Sequence, residues 1–300
     1  MLTYQTFSSV ATRVFLAASC AAAALVIVPD AHAEELLRIP TSAPVNGRAV
    51  VEAILKVPTG VKTEKPYPAV ILLHSGGGWD VPLTGQYAKA LNQAGFATLE
   101  LRLFKSEDER VPAIGGYLQN LYDALRFLGS RPDIKPDRVS VAGFSHGGYL
   151  ALTSATSWAY DRFGGGTGSK FAAHAPFYPV CYTYAATARA RRANGDVPGN
   201  LLFRWTGVPV RIFAGGKDDY DDQDPKACEE FVSLIPERHR SLFSVVVYPD
   251  ATHGWDQPSN SFFARVACKG RGCTNRNVAN PAVTEQSVAE LVKFVGENGR

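Results

Sequence analysis

Val139-Ser140-Val141-Ala142-Gly143-Phe144-Ser145-His146-Gly147-Gly148 decides how the rest of the chain is read. A short apolar run, Val139 to Ala142, enters a G-x-S-x-G pentad, and a helical pattern begins near Tyr149. A serine held on a sharp turn from strand to helix takes strained dihedrals, and the backbones on either side come close together. Small residues are therefore required at both flanking positions. Gly143 and Gly147 meet that requirement and make Ser145 a candidate nucleophile.

Outward from this turn, buried strands are expected at Val51–Val57, Ala69–Leu73, Ala97–Leu103, Val139–Ala142, Phe171–Phe177, Val210–Ala214 and Phe243–Tyr248. Most are apolar runs bounded by Gly, Pro or polar clusters, as a parallel sheet covered on both faces requires. Helical patterns lie between them. Tyr87, Leu91 and Ala94 recur at helical spacing, with Thr84 placed to cap the start and Gly95 to end it. Leu118, Leu121, Leu125 and Leu128 form a second stripe; Val288, Leu291, Val292 and Val295 form another behind Asn280 and Pro281. The alternation predicts one α/β domain over residues 34–300 with a mostly parallel, doubly wound sheet and helices on both faces. Ligand chemistry in such a sheet belongs in the loops at the carboxyl ends of the strands. Phe163–Gly168 and Tyr182–Trp205 break the alternation and are expected as excursions over that face. The glycine run at 164–168 lacks the Gly-Lys-Ser/Thr ending of a phosphate cradle and reads as a flexible loop.

A serine hydroxyl is a poor nucleophile at neutral pH, so Ser145 needs a base within hydrogen-bond reach and an acid to fix the base's tautomer. In the α/β-hydrolase arrangement these follow the serine in the order acid, histidine. The strand Val210–Ala214 ends in Gly215-Gly216-Lys217-Asp218-Asp219, and Val245–Tyr248 leads to His253-Gly254-Trp255. His253 is the candidate base. Of the other histidines, His32 falls in the N-terminal segment, His239 lies among charges, His174 sits in an apolar strand, and His74 opens a Gly-rich loop that its ring is expected to brace. His146 is expected to act through its backbone N–H. Asp218, first out of its strand turn, is the candidate acid, with Asp219 as the alternative and Asp221, Asp222 and Asp224 as a solvated loop. Their spacing does not match a calcium loop. An oxyanion formed at Ser145 needs two N–H donors: His146, and Gly76 or Gly77 in His74-Ser75-Gly76-Gly77-Gly78-Trp79. Trp79, Tyr149, Tyr178 and Trp255 are candidates to line the substrate pocket, with core packing as the competing reading for each.

The first residues carry an early Arg13, an apolar run from Val14 to Val28 relieved by small residues, and Ala31-His32-Ala33 before Glu34. This is the pattern of a secretory signal (residues 1–33), with cleavage expected after Ala33 and export to a periplasmic or extracellular space. No stable membrane insertion is expected after cleavage. Cys20 raises a lipid anchor, but Ala17 stands where such a motif takes Leu. Four cysteines remain, Cys181, Cys228, Cys268 and Cys273, an even number suited to an oxidising compartment. The short Lys-Gly-Arg-Gly spacer pairs Cys268 with Cys273 and leaves Cys181 for Cys228. The net charge of +3 is scattered, so nucleic acid is not an expected partner. No metal-ligand spacing is present, and no metal or other cofactor is expected.

Leu72-Leu73-His74-Ser75-Gly76-Gly77-Gly78, Asp137-Arg138-Val139, Gly143-Phe144-Ser145-His146-Gly147-Gly148, Phe177-Tyr178-Pro179, Gly216-Lys217-Asp218-Asp219 and His253-Gly254-Trp255 together resemble the dienelactone hydrolase family of α/β hydrolases. The resemblance runs from about Val50 to the C-terminus. It implies Ser145, Asp218 and His253 as a catalytic triad and cofactor-free hydrolysis of an ester or lactone. The enzymes that give the family its name carry cysteine where this chain has Ser145, so their lactone substrate does not carry over. The expected function is cleavage of a small-molecule carboxylic ester through an acyl-enzyme. Two alternatives are a prolyl-oligopeptidase-like peptidase, for whose propeller the chain has no room, and a non-catalytic envelope binding protein, against which the complete Ser, Asp and His set stands.

Overall fold

The computed structural model describes residues 32–59, 65–81, 83–166, 168–190, 198–263 and 275–298. The apolar runs become strands β1 (His32–Val45), β2 (Arg48–Pro58), β3 (Tyr67–Leu73), β4 (Ala97–Arg102), β5 (Ile134–Phe144), β6 (His174–Phe177), β7 (Val210–Gly215) and β8 (Phe243–Tyr248). They form one sheet in the order β1-β2-β4-β3-β5-β6-β7-β8. Only β2 runs against its neighbours; every pairing from β4 to β8 is parallel. A separate antiparallel ladder joins β9 (Ser261–Phe263) and β10 (Asn275–Asn277).

Strand β3 is buried at all of its positions, which is why its sequence is continuously apolar rather than alternating. Helices cover both faces of the sheet: α1 (Thr84–Gln93), α2 (Gly115–Gly129), α3 (His146–Ser154), α4 (Ser157–Phe163), α5 (Cys181–Ala190), α6 (Ala227–Leu234), α7 (Glu237–Arg240) and α8 (Pro281–Asn298). One core packs Leu118, Leu121 and Leu125 of α2 with Leu150 of α3 and Phe231 of α6. The other packs Tyr87 and Leu91 of α1 with Leu291, Phe294 and Val295 of α8. From β3 the chain winds outward to β4, then returns to β5 on the other side and winds the opposite way. The carboxyl ends of β3 and β5 therefore open a crevice, and both glycine-rich motifs lie there.

The structure departs from expectation in several places. β1 was not anticipated, because its Pro, Thr and Arg residues break any regular alternation; it gains its partners from β2 through pairing at the sheet edge. Of the predicted strand Phe171–Phe177, only His174–Phe177 is a strand. Thr84 does not cap α1. Its hydroxyl donates to Glu100 Oε2 at 2.5 Å, a buried carboxylate on β4 that offers a stronger acceptor than an exposed helix end offers a donor. Asn280 does cap α8, accepting from Val283 N–H at 3.2 Å. Of Phe163–Gly168, Thr167 lies outside the described residues, and the stretch from Phe163 to Gly166 is not over the crevice. It leads into a parallel strand and so lies at the amino ends of the strands, where Arg126 in the last turn of α2 donates to the Phe163 carbonyl at 2.9 Å. The Tyr182–Trp205 segment divides: α5 starts near the crevice, but Trp205 bridges to Thr156 beyond the far end of α3.

Cys181 and Cys228 form a disulfide between the first turns of α5 and α6. Cys268 and Cys273 lie outside the described residues, as do Cys20 and the apolar run of the N-terminal segment. The bridge closes a loop across 47 residues of sequence. Replacing both cysteines with serine is expected to lower unfolding stability by about 2–4 kcal/mol. Urea denaturation checks this, and an unchanged midpoint would show that the bridge restrains little.

Candidate active site

Ser145 sits between β5 and α3 with φ 51° and ψ −109°, in the left-handed half of the map that a side chain normally avoids. Close backbone contacts enforce the turn. A Cβ on Gly143 would stand 2.1 Å from the Gly147 carbonyl oxygen, and one on Gly147 would stand 2.3 Å from that of Leu73. The Ser145 N–H donates to the Phe177 carbonyl at 3.0 Å, tying the turn to β6.

Ser145 Oγ lies 2.8 Å from His253 Nε2, and His253 Nδ1 lies 2.9 Å from Asp218 Oδ2. The three side chains form one hydrogen-bonded chain drawn from the ends of three strands. His253 is buried at 3% exposure, and the other oxygen of Asp218 accepts the Tyr220 N–H at 3.1 Å. Asp219 is exposed, and its carbonyl accepts from Asn275 Nδ2 at 2.9 Å. Gly76 faces the turn at Ser145, its Cβ direction leading to Arg110 Nη1 at 2.6 Å and His146 Cβ at 3.7 Å. Gly77 is exposed and faces Val81.

The sequence model of the dienelactone hydrolase family matches residues 51–298. The chain belongs to that family. A Mycobacterium tuberculosis protein whose name assigns it provisionally to the phosphoribosyl transferases is 29% identical over 244 residues, 80% of this chain and 47% of that one. Acyl-coenzyme A thioesterase 1 of Homo sapiens is 26% identical over 216 residues, 68% of this chain and 44% of that one. The chain thus spans about half the length of these curated relatives. Among solved structures, an esterase from Rhizomucor miehei superposes with a TM-score of 0.58 at 15% identity, covering 89% of this chain and 84% of that one, a likeness of fold.

Around the site of this family member, the four aromatic candidates separate. Trp255 is fully buried and donates through Nε1 to Ser287 Oγ at 3.3 Å, so it is a core residue and does not line a pocket. Tyr178 is also buried, but its ring meets that of His253 edge-on at 4.8 Å. Trp79 and Tyr149 are half-buried: Arg102 lies over the Trp79 ring at 4.8 Å, and Tyr149 packs on Tyr184 at 4.8 Å. Two neighbours escaped the sequence reading. Tyr220 stacks on the His253 ring at 4.5 Å and 24°, and Asn275 of β10 accepts from Asp221 N–H at 2.9 Å while donating to Asp219 O. Tyr220, two residues past Asp218, was open to suspicion on proximity. Asn275 carried no signal, because its role arises only when β10 folds against the acid loop. Among the described residues no group of three His, Cys, Asp or Glu side chains gathers as a metal ion would require.

His74 braces the glycine loop: its Nδ1–H donates to Ser75 O at 2.9 Å and its Nε2 accepts Leu103 N–H at 3.1 Å, which fixes the neutral tautomer. Burial lowers its pKa to about 4. Burial likewise lowers His146 and His174 to about 3, with Arg110 adding repulsion at His146. These rings stay neutral in the fold but gain protons near pH 6.5 once unfolded. The unfolded chain therefore binds more protons between those limits, and the stability present above the unfolded value is lost as pH falls. The urea midpoint is expected to drop between about pH 7 and about pH 4.5, less steeply in His174→Gln. Equal slopes in the two proteins would contradict the burial of a neutral His174.

Proposed function

We propose that this protein is an exported serine hydrolase that cleaves a small-molecule carboxylic ester through an acyl-enzyme. The observation that carries the reading is the unbroken chain Ser145 Oγ, His253 Nε2, His253 Nδ1, Asp218 Oδ2, with both hydrogen bonds under 3 Å. Family membership supports the same class of reaction.

In this reading His253 takes the Ser145 proton as Oγ attacks the ester carbonyl. Asp218 holds the Nδ1 proton in place and offsets the charge on the imidazolium. The alkoxide of the tetrahedral intermediate faces the N–H groups of His146 and Gly76, each contributing about 3 kcal/mol to the barrier reduction. Gly77, turned toward Val81, is the weaker choice for the second donor. His253 then protonates the leaving alcohol, and water repeats the sequence to release the acid. No cofactor takes part. The half-buried Trp79 and Tyr149 are proposed to border the substrate, and the thioesterase named among the relatives adds thioesters to the carbonyl compounds worth testing.

With p-nitrophenyl esters of graded chain length, Ser145→Ala is expected to lose about 10⁴-fold in kcat against a wild type that turns over at least one of them. Equal turnover by both proteins would place the hydrolysis elsewhere. Export is supported by the signal pattern and the Cys181–Cys228 bridge. N-terminal sequencing of the protein from a secreting host is expected to begin at Glu34; a chain starting at Met1 would contradict cleavage.

A further inference from the structure

Asp256 stands three residues beyond His253 and is 4% exposed. Its Oδ1 accepts from the Tyr178 hydroxyl at 2.6 Å and its Oδ2 from the Tyr87 hydroxyl at 2.7 Å. Its backbone carbonyl accepts from Gln86 Nε2 at 2.9 Å. Among the described residues no Lys or Arg pairs with this carboxylate, and the imidazole close enough to act on it once protonated is that of His253. A buried carboxylate without a cation is costly, and two hydroxyl donors reduce that cost without cancelling it. Burial pushes the Asp256 carboxyl up, while the hydroxyls of Tyr178 and Tyr87 and the nearby imidazole draw it back.

Tyr178 links this carboxylate to the reacting group. Its hydroxyl holds Asp256 and its ring lies against the His253 ring. Its backbone is held at φ 35°, a conformation that a non-glycine residue keeps only when its surroundings impose it. Tyr178 N–H donates to Phe213 O at 2.7 Å, which fixes the backbone from the side of β7.

We propose that Asp256 is a positioning residue for the hydrolysis, a second carboxylate behind the imidazole that holds Tyr178 against His253 and stabilises the positive charge the ring acquires from Ser145. This rests on the function proposed above. In the resting protein the carboxylate lacks a cation, and proton transfer to His253 creates one. The other groups facing His253 are Asp218 at Nδ1, Ser145 at Nε2 and Tyr220 on the ring face, and the charge of Arg110 acts on Tyr220. Those facing Asp256 are Tyr87 from α1, Tyr178 and His253, with Tyr248 and Ser287 beyond Tyr87. A carboxylate that only satisfied two buried hydroxyls would leave the titration of catalysis alone.

The test is the pH dependence of kcat and KM on the best p-nitrophenyl ester for wild type, Asp256→Asn and Tyr87→Phe, with Ser145→Ala as background and thermal unfolding measured in parallel. For Asp256→Asn the expected result is a kcat about tenfold lower with KM nearly unchanged, and an acid limb of kcat/KM moved about one unit to lower pH. Tyr87→Phe, which removes one of the two hydroxyl donors to the carboxylate, is expected to move the limb by less. Acid limbs that stay in place in both variants overturn the inference, whatever happens to kcat or Tm. If Asp256→Asn yields no soluble protein, Tyr87→Phe decides by the same criterion. Wild-type turnover no higher than that of Ser145→Ala would instead remove the hydrolase reading itself.

Discussion

The contact that the rest of the site depends on is between backbones. The start of α3 packs so closely onto the ends of β3 and β5 that a methyl group on Gly147 would overlap the Leu73 carbonyl, and one on Gly143 would overlap the Gly147 carbonyl. That closeness forces Ser145 into a positive φ and lifts its Oγ out of the sheet edge toward His253. The strain, about 1–3 kcal/mol for such a residue, is held by the sheet hydrogen bonds and by the Ser145 N–H bond to Phe177 O. The same packing brings the glycine loop after β3 alongside His146.

Around this fixed serine, the imidazole is defined from every side. Asp218 holds one nitrogen, Tyr220 covers one face, Tyr178 meets the ring edge-on, and Asn275 ties the acid loop that carries Asp218 and Tyr220. Asp221 and Asp222 adopt left-handed conformations in that loop, and Tyr182 donates to Asp221 at 2.8 Å. The acidic cluster is thus in part a structured support for Asp218 rather than a solvated surface. The Cys181–Cys228 bridge links the helices that follow Tyr178 and the acid loop, so a covalent restraint lies directly behind both.

The parts of this arrangement visible in the sequence were those with a local cause. The turn at Ser145 needs glycines at fixed positions, buried parallel strands need continuous apolar runs, and Asp218 and His253 each follow a strand. Each leaves a mark that one chain can carry. The parts that stayed hidden depend on residues meeting across the fold. Thr84 has the sequence of a cap and the position of a Glu100 partner. Trp255 lies two residues past His253 yet turns into the core beneath α8. Asn275 and β1 take their roles from neighbours far away in the chain, so no local pattern announced them.

Whether Ser145 is a nucleophile activated by His253 is open to one direct measurement, reaction with a fluorophosphonate followed by mass spectrometry of the peptides. The account predicts a single covalent adduct on the peptide carrying Ser145, formed rapidly in the wild type and at a greatly reduced rate in His253→Ala. An unlabelled Ser145 in folded wild-type protein, or labelling that proceeds equally well without the His253 ring, would contradict it.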